Sequence, residues 1–245
     1  MCGRIALYEE PSRLARILGA RLVEGSFAGW QPSWNVGPTD EILGVRQTST
    51  GERELGPYRW GLVPPWVKDP KAVKSTFNAR AESIATKPMF RSAFEKQRIL
   101  VPVDLFYEWH RLSDKEKQPY AFRRADGEPI VIAGLREWHP DVDGEVWRTA
   151  TIITTEAGPD MPIHNRQPVV LERDTWEHWL DPAVTDRDEL ESLLHPTAEG
   201  TLVRRPVSKD VGNIRNNGPE LAEAVVLEKD SEPIESQQQL PWSEA

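Results

Sequence analysis

The stretch Ile99-Leu100-Val101-Pro102-Val103-Asp104-Leu105-Phe106-Tyr107-Glu108-Trp109 lies near the middle of a 245-residue chain. Its first half is apolar and β-branched and its second half aromatic, the composition of a buried strand. Upstream, Glu41–Arg46 and Tyr58–Val63 also read as strands, the second breaking at Pro64-Pro65-Trp66. Downstream, Asp126-Gly127 between Tyr120–Arg124 and Pro129–Leu135 is a hairpin signal, and Arg148–Thr155 reads as a further strand. Trp34–Thr39 reads as a loop and Thr48–Gly51 as a turn. Helical patterns occupy Pro11–Leu18, with Leu14, Ile17 and Leu18 on one face, and Asn78–Ala85, Pro88–Lys96, Asp174–Leu180 and Asp186–Leu194. Strands outnumber helices and do not alternate regularly with them, which predicts an α+β fold rather than a parallel α/β sheet. No repeat or linker interrupts residues 1–227, so one domain is expected there. Residues 228–245 are rich in Gln and Glu and read as a disordered acidic tail.

Composition narrows the function. The net charge of −9 argues against a nucleic-acid partner when taken whole. The acids are concentrated, however. Residues 228–245 carry a net −4 and residues 181–199 a net −5, so the remainder is neutral and can hold a basic groove. Its basic residues are mostly arginine, which suits bidentate phosphate contacts. Ten Trp suggest aromatic platforms as well as packing. A single cysteine excludes an internal disulfide, and no Cys/His cluster has zinc spacing. The N-terminus has no signal-peptide core and no apolar run is long enough to span a membrane. A cytoplasmic, monomeric protein is expected.

The single cysteine is Cys2, in Met1-Cys2-Gly3-Arg4. Removal of Met1 would leave an amine and a thiol on adjacent carbons, titrating at about 7.7–8.0 and about 8.5 when free. Such a 1,2-aminothiol can form an imine with an aldehyde and close a thiazolidine ring. It can also attack an amide through sulfur with the amine as base. The competing reading is a chance cysteine near a frayed end.

Other side chains are ambiguous one by one. Glu108 among aromatics is either a desolvated acid/base or a strand residue facing solvent. Asn78 is either a helix N-cap or an amide that orients a substrate, with Arg80 near it to clamp an anion. His164 follows a strand and a turn and could be an ordinary loop histidine. Trp60 suits a core position, and Trp66, after two prolines, suits an exposed stacking surface.

Together and in order, Met1–Arg4, Trp34–Thr39, Trp60–Pro64, Asn78–Glu82, Phe106–Trp109 and Ile163–Arg166 resemble the successive motifs of the SOS-response-associated peptidase (SRAP) family, from residue 2 to about 225. Two positions depart from the family pattern: Gln167 stands where Met is usual, and Gly212 separates a Val-Asn pair that is commonly contiguous. The resemblance implies an irregular β-barrel-like α+β fold with peripheral helices. It implies shielding of abasic sites in single-stranded DNA through a covalent thiazolidine link, with lyase activity and self-catalysed removal of Met1, and with no metal or organic cofactor. It implies Cys2 as nucleophile, surrounded by Asn78, Glu108 and His164. Arg4, Arg80 and Arg166 would hold phosphates, with Trp66 and Trp109 near the bases. Rival readings are a class II glutamine amidotransferase, which also begins Met-Cys-Gly but carries an Asn-Gly-Glu-Ile-type motif absent here, a non-covalent reader of single-stranded DNA, and a thiol protease acting on other proteins.

Overall fold

Asp104 divides the central apolar run into two strands that serve different sheets. The computed structural model describes residues 2–73, 76–142 and 144–227; Met1 and the expected tail at 228–245 lie outside the described residues. In chain order the elements are β1 (Ile5–Leu7), α1 (Pro11–Leu18), β2 (Arg21–Leu22), β3 (Ser33–Val36), β4 (Glu41–Gln47), β5 (Arg53–Trp60) and β6 (Asn78–Arg80). Then follow α2 (Arg91–Lys96), β7 (Arg98–Val103), β8 (Leu105–Arg111), β9 (Lys117–Arg124), β10 (Ile130–Val142) and β11 (Glu145–Glu156). The chain continues with β12 (Arg166–Pro168), α3 (Trp176–Leu180), α4 (Arg187–Ser192) and β13 (Leu202–Pro206).

The larger sheet runs β12-β11-β10-β7-β4-β5-β2. A parallel pairing of β11 with β5, at Thr149–Arg59 and Ala150–Trp60, closes five of its strands into a barrel. Closure hides the sheet edges, and both faces of the barrel wall are buried: Ile42, Trp60, Ile132 and Ile152 lie on one face and Val45, Leu55 and Leu100 on the other, all at most 1% exposed. The second sheet runs β13-β9-β8-β1-β3. One of its faces packs on the barrel through Ile5, Phe106 and Phe122. Its other face carries a smaller core of Ala6, Leu105, Tyr107 and Ala121, covered by Val207, Val211 and Ala222.

The corner between β7 and β8 is held by backbone and side chain of one residue. Asp104 N–H donates to Ala6 O at 3.0 Å, and its carboxylate accepts from Tyr8 N–H at 2.6 Å and Glu9 N–H at 3.0 Å. A single apolar run therefore passes from the barrel into the second sheet without a loop. The Asp126-Gly127 turn forms, with Gly127 at φ +80°, but no hairpin does. β9 pairs with β8 and β13, whereas β10 pairs with β7 and β11. The turn joins two sheets rather than two partners.

Two further expectations are corrected. Asn78 opens a strand, not a helix: β6 pairs in parallel with β11 at Ile152–Asn78, and only Ala81–Ser83 form a 3₁₀ turn. Ser33–Val36, which overlaps the loop expected at Trp34–Thr39, pairs with β1 as a strand. Helix α1 keeps its predicted bounds, with Pro11 in its first turn and Gly19 at φ +60° ending it.

Candidate active site

Cys2, Asn78, Glu108 and His164 converge where the second sheet meets the barrel. The antiparallel register Ile5–Phe106 and Ala6–Leu105 is continued by Tyr107 N–H donating to Arg4 O at 2.9 Å. That register carries the N-terminal segment alongside Glu108. Strand alternation decides where the carboxylate points. Leu105 and Tyr107 face the smaller core, so Phe106 and Glu108 face the barrel. Glu108 is 3% exposed, which removes the solvent-facing alternative.

From the barrel side, β11 presents the other two residues on its opposite edges. β6 lies along one edge with Asn78 at its start, and β12 lies along the other, directly after His164. The Asn78 side-chain amide donates to Cys2 O at 2.7 Å. Asn78 Oδ1 is buried with no hydrogen-bond partner among the described residues. Arg166 N–H donates to His164 Nδ1 at 3.0 Å. His164 Nδ1 also lies 3.1 Å from Arg166 O, so either ring tautomer finds a backbone partner there. The other ring nitrogen, Nε2, lies 3.9 Å from Glu108 Oε2, within ion-pair range but longer than a hydrogen bond.

Cys2 is buried and its thiol is free. Burial first, and then the Glu108 charge, push its pKa far above the ordinary thiol range. The sulfur therefore rests as a neutral thiol.

The arginines differ in their surroundings. Arg80 is exposed at the end of β6. Arg4 is half-buried, its guanidinium lying against Gly37, where an added Cβ would come within 2.7 Å of Nη1. The same Cβ would meet Ile214 Cδ1 at 2.7 Å, so a larger residue there would push both flexible side-chain ends aside. Arg4 Nε is buried without a partner among the described residues, and burial lowers the guanidinium pKa. Arg166 is already engaged: it forms a bidentate pair with Glu82 at 2.8 and 3.0 Å and donates to Thr154 O at 2.6 Å. The pairing holds the Glu82 pKa low. Glu82 thus occupies the fork of Arg166 that a phosphate would use.

Trp66 is 59% exposed, on a loop pinned by His139 Nε2 at 2.8 Å from Val67 O. Trp109 packs on the smaller core, on the face of β8 away from Glu108. Trp60 is fully buried. Glu82, Thr154 and His139 support the site and were missed in the sequence, since each serves through a partner distant in the chain. Gln167 is buried and satisfied, accepting from Gly158 N–H at 2.6 Å and donating to Thr197 Oγ1 at 3.2 Å. Among the described residues no cluster of His, Cys, Asp and Glu could hold a metal ion, and no helix is long and apolar enough to cross a membrane.

Fold and site together define an α+β barrel protein with a Cys-Asn-Glu-His cluster at its sheet junction, Cys2 and Glu108 buried and Asn78 and His164 partly exposed. A family model described as SOS response associated peptidase (SRAP) matches residues 1–214, and the chain belongs to that family. It is 39% identical over 227 residues to the abasic site processing protein YoqW of Bacillus subtilis, covering 91% of this chain and 100% of that one. It is 29% identical to the abasic site processing protein YedK of Escherichia coli, covering 92% and 100%. A crystal structure of a Bacteroides thetaiotaomicron protein superposes with a TM-score of 0.82 at 23% identity, covering 92% of this chain and 100% of that chain, and so shares the fold.

Proposed function

We propose that this protein captures abasic sites in single-stranded DNA by covalent attachment through Cys2, made N-terminal by self-catalysed loss of Met1. The observation that carries the reading is the convergence of Asn78, Glu108 and His164 on Cys2, with Asn78 holding the Cys2 carbonyl at 2.7 Å. The names of the relatives, abasic site processing proteins, supply the substrate class.

The chemistry follows from the ionisation of the site. A ring-opened abasic deoxyribose offers an aldehyde at C1′. The thiol is held protonated, so the Cys2 amine attacks first, and Glu108 takes a proton from it and returns it to the aldehyde oxygen, giving a carbinolamine. The second proton on nitrogen, relayed through Glu108 and His164, reaches that hydroxyl, releasing water and leaving a neutral imine. The sulfur then adds to the imine carbon, its proton passing to nitrogen, and the thiazolidine ring closes. An imine that persisted would expose the strand to β-elimination, the lyase route, and ring closure removes that intermediate. Arg4 and Arg80 supply phosphate contacts, and Trp66 an exposed surface for a base. No base-specific readout is required, because the missing base is itself the recognised feature.

The test is a denaturing gel. Protein mixed with abasic single-stranded DNA is expected to give a band stable to SDS and heat, and Cys2→Ala to abolish it. A Cys2→Ala protein that cross-links as stably as wild type would overturn the thiazolidine. A band absent from both, with DNA binding retained, would favour the non-covalent reader.

A further inference from the structure

We infer that a second track for the DNA strand leads away from the cluster across Arg59 and Trp147, and that it holds nucleotides flanking the abasic site. The inference rests on the single-stranded DNA reading above. Its path begins at Arg4, whose guanidinium lies against Gly37. The next two residues, Pro38 and Thr39, line a cavity of about 210 Å³ that also reaches Arg59 and Trp147. An adjoining cleft of about 360 Å³ shares Thr39, Arg59 and Trp147 and continues past Val146 to Arg148.

Arg59 is built into place rather than left loose. Parallel pairing with Thr149 fixes its backbone. Its guanidinium sits over the Trp147 ring, 5.0 Å from the centroid. One N–H donates to Thr39 O. A guanidinium has five such donors, and no other bond from Arg59 is made among the described residues. Thr39 itself sits at φ 80°, a conformation that a β-branched residue adopts only when its surroundings impose it. Strained backbone at the mouth of the cavity turns its carbonyl onto Arg59.

The occupant is set by the chemistry of the walls. Arg59, Arg148 and the indole of Trp147 offer charge to phosphates and an aromatic surface to bases, the combination that binds single strands without sequence preference. Val146 is 61% exposed beside them. Among the described residues Glu41 is the one carboxylate lining the clefts, and partial desolvation raises its pKa. An aromatic and cationic surface continuous with Arg4 fits the same strand better than an acidic protein partner, which would leave the indole unused.

The experiment measures binding without requiring cross-linking. Fluorescence anisotropy would compare wild type, Arg59→Glu and Trp147→Leu on intact single-stranded oligonucleotides of about 5 and about 15 nucleotides. Both variants are expected to weaken the long oligonucleotide about tenfold and leave the short one within twofold. Arg59→Glu should also lower the slope of binding against salt by about one counterion. Unchanged binding of the long oligonucleotide overturns the track, and so does an equal loss at both lengths. Thermal unfolding of each variant identifies a folding defect, and Arg59→Glu, at a partly exposed position, decides the matter if Trp147→Leu unfolds. Cross-linking of abasic versions is read separately. A wild type that binds both lengths but never cross-links would defeat the covalent function and leave the track standing.

Discussion

The Asn78 side-chain amide donates to the Cys2 carbonyl at 2.7 Å, across 76 residues of chain and between the barrel and the second sheet. The bond fixes the carbonyl of the residue whose amine and thiol would react in the proposed capture. It also leaves Asn78 Oδ1 buried without a partner among the described residues, where it can accept from the Cys2 amine once Met1 is gone. Asn78→Asp would replace the donor by an oxygen facing an oxygen. Cross-linking is expected to slow about tenfold or more, with intact-strand binding unchanged. Single-turnover gels and anisotropy on the same preparation check this. An unchanged rate would reduce Asn78 to a strand residue that happens to touch Cys2.

Glu108→Gln keeps the shape of the side chain and cannot accept a proton. A general base contributes about 10²–10⁴-fold, so slower cross-linking is expected, with the deficit shrinking toward pH 9, where a free amine is already neutral. Removal of Met1 has to be verified first by mass of the N-terminal peptide, because the same carboxylate would serve that step. Rates equal to wild type from about pH 6 to 9 would leave Glu108 with no part in proton transfer.

Legibility followed the range of the signals. Helix α1 was readable to the residue because its start and stop signals are local, Pro11 and Gly19. Strands β4 and β11 were readable from composition. The partners of strands were not. Asp126-Gly127 makes the turn it promises, yet β9 and β10 belong to different sheets, and no local pattern records which sheet a strand joins. Asn78 carries a helix-start pattern, and pairing with β11 overrides it. Site residues were named from ordered motifs rather than from spacing. Cys2 and Glu108 are far apart in sequence, and only the β1–β8 register makes them neighbours. The Arg166–Glu82 pair was invisible for the same reason, and it changes what Arg166 can offer a phosphate.

Arg98 is a buried cation satisfied by backbone alone. Its guanidinium donates to the carbonyls of Phe94, Glu95, Trp179, Asp181 and Val184. Four of the five belong to the C-terminal ends of α2 and α3, where unpaired carbonyls collect and a cation is favoured, and Val184 lies in the loop after α3. Burial still lowers its pKa to about 10. Arg98→Met would fill similar space and leave those carbonyls unpaired, so a loss of about 3 kcal/mol in unfolding free energy is expected. Urea denaturation measures it. A loss under about 1 kcal/mol would mean that water replaces the guanidinium without penalty.

Asp104, at the corner between the sheets, makes stability depend on pH in the direction opposite to most carboxylates. Burial raises its pKa from an ordinary 3.8 to about 7, against the opposing effects of the Tyr8 N–H bond and the nearby Arg13 charge. Between those two values the folded protein holds a proton that the unfolded chain has released. Stability from this group is therefore fully present below about pH 4 and is lost as pH rises through about 7. Asp104→Asn retains a carbonyl oxygen to accept from Tyr8 and Glu9 N–H, and it cannot ionise. The melting temperature of wild type minus that of Asp104→Asn is expected to fall between pH 4.5 and 8, leaving the variant the more stable at neutral pH. Taking the difference cancels the other titrating groups, Glu41 and Glu137 among them, whose pKa values burial also raises. A difference that stays flat across the range would mean that the corner admits enough water to keep Asp104 ionised, and its two backbone bonds would then be those of an ordinary charged cap.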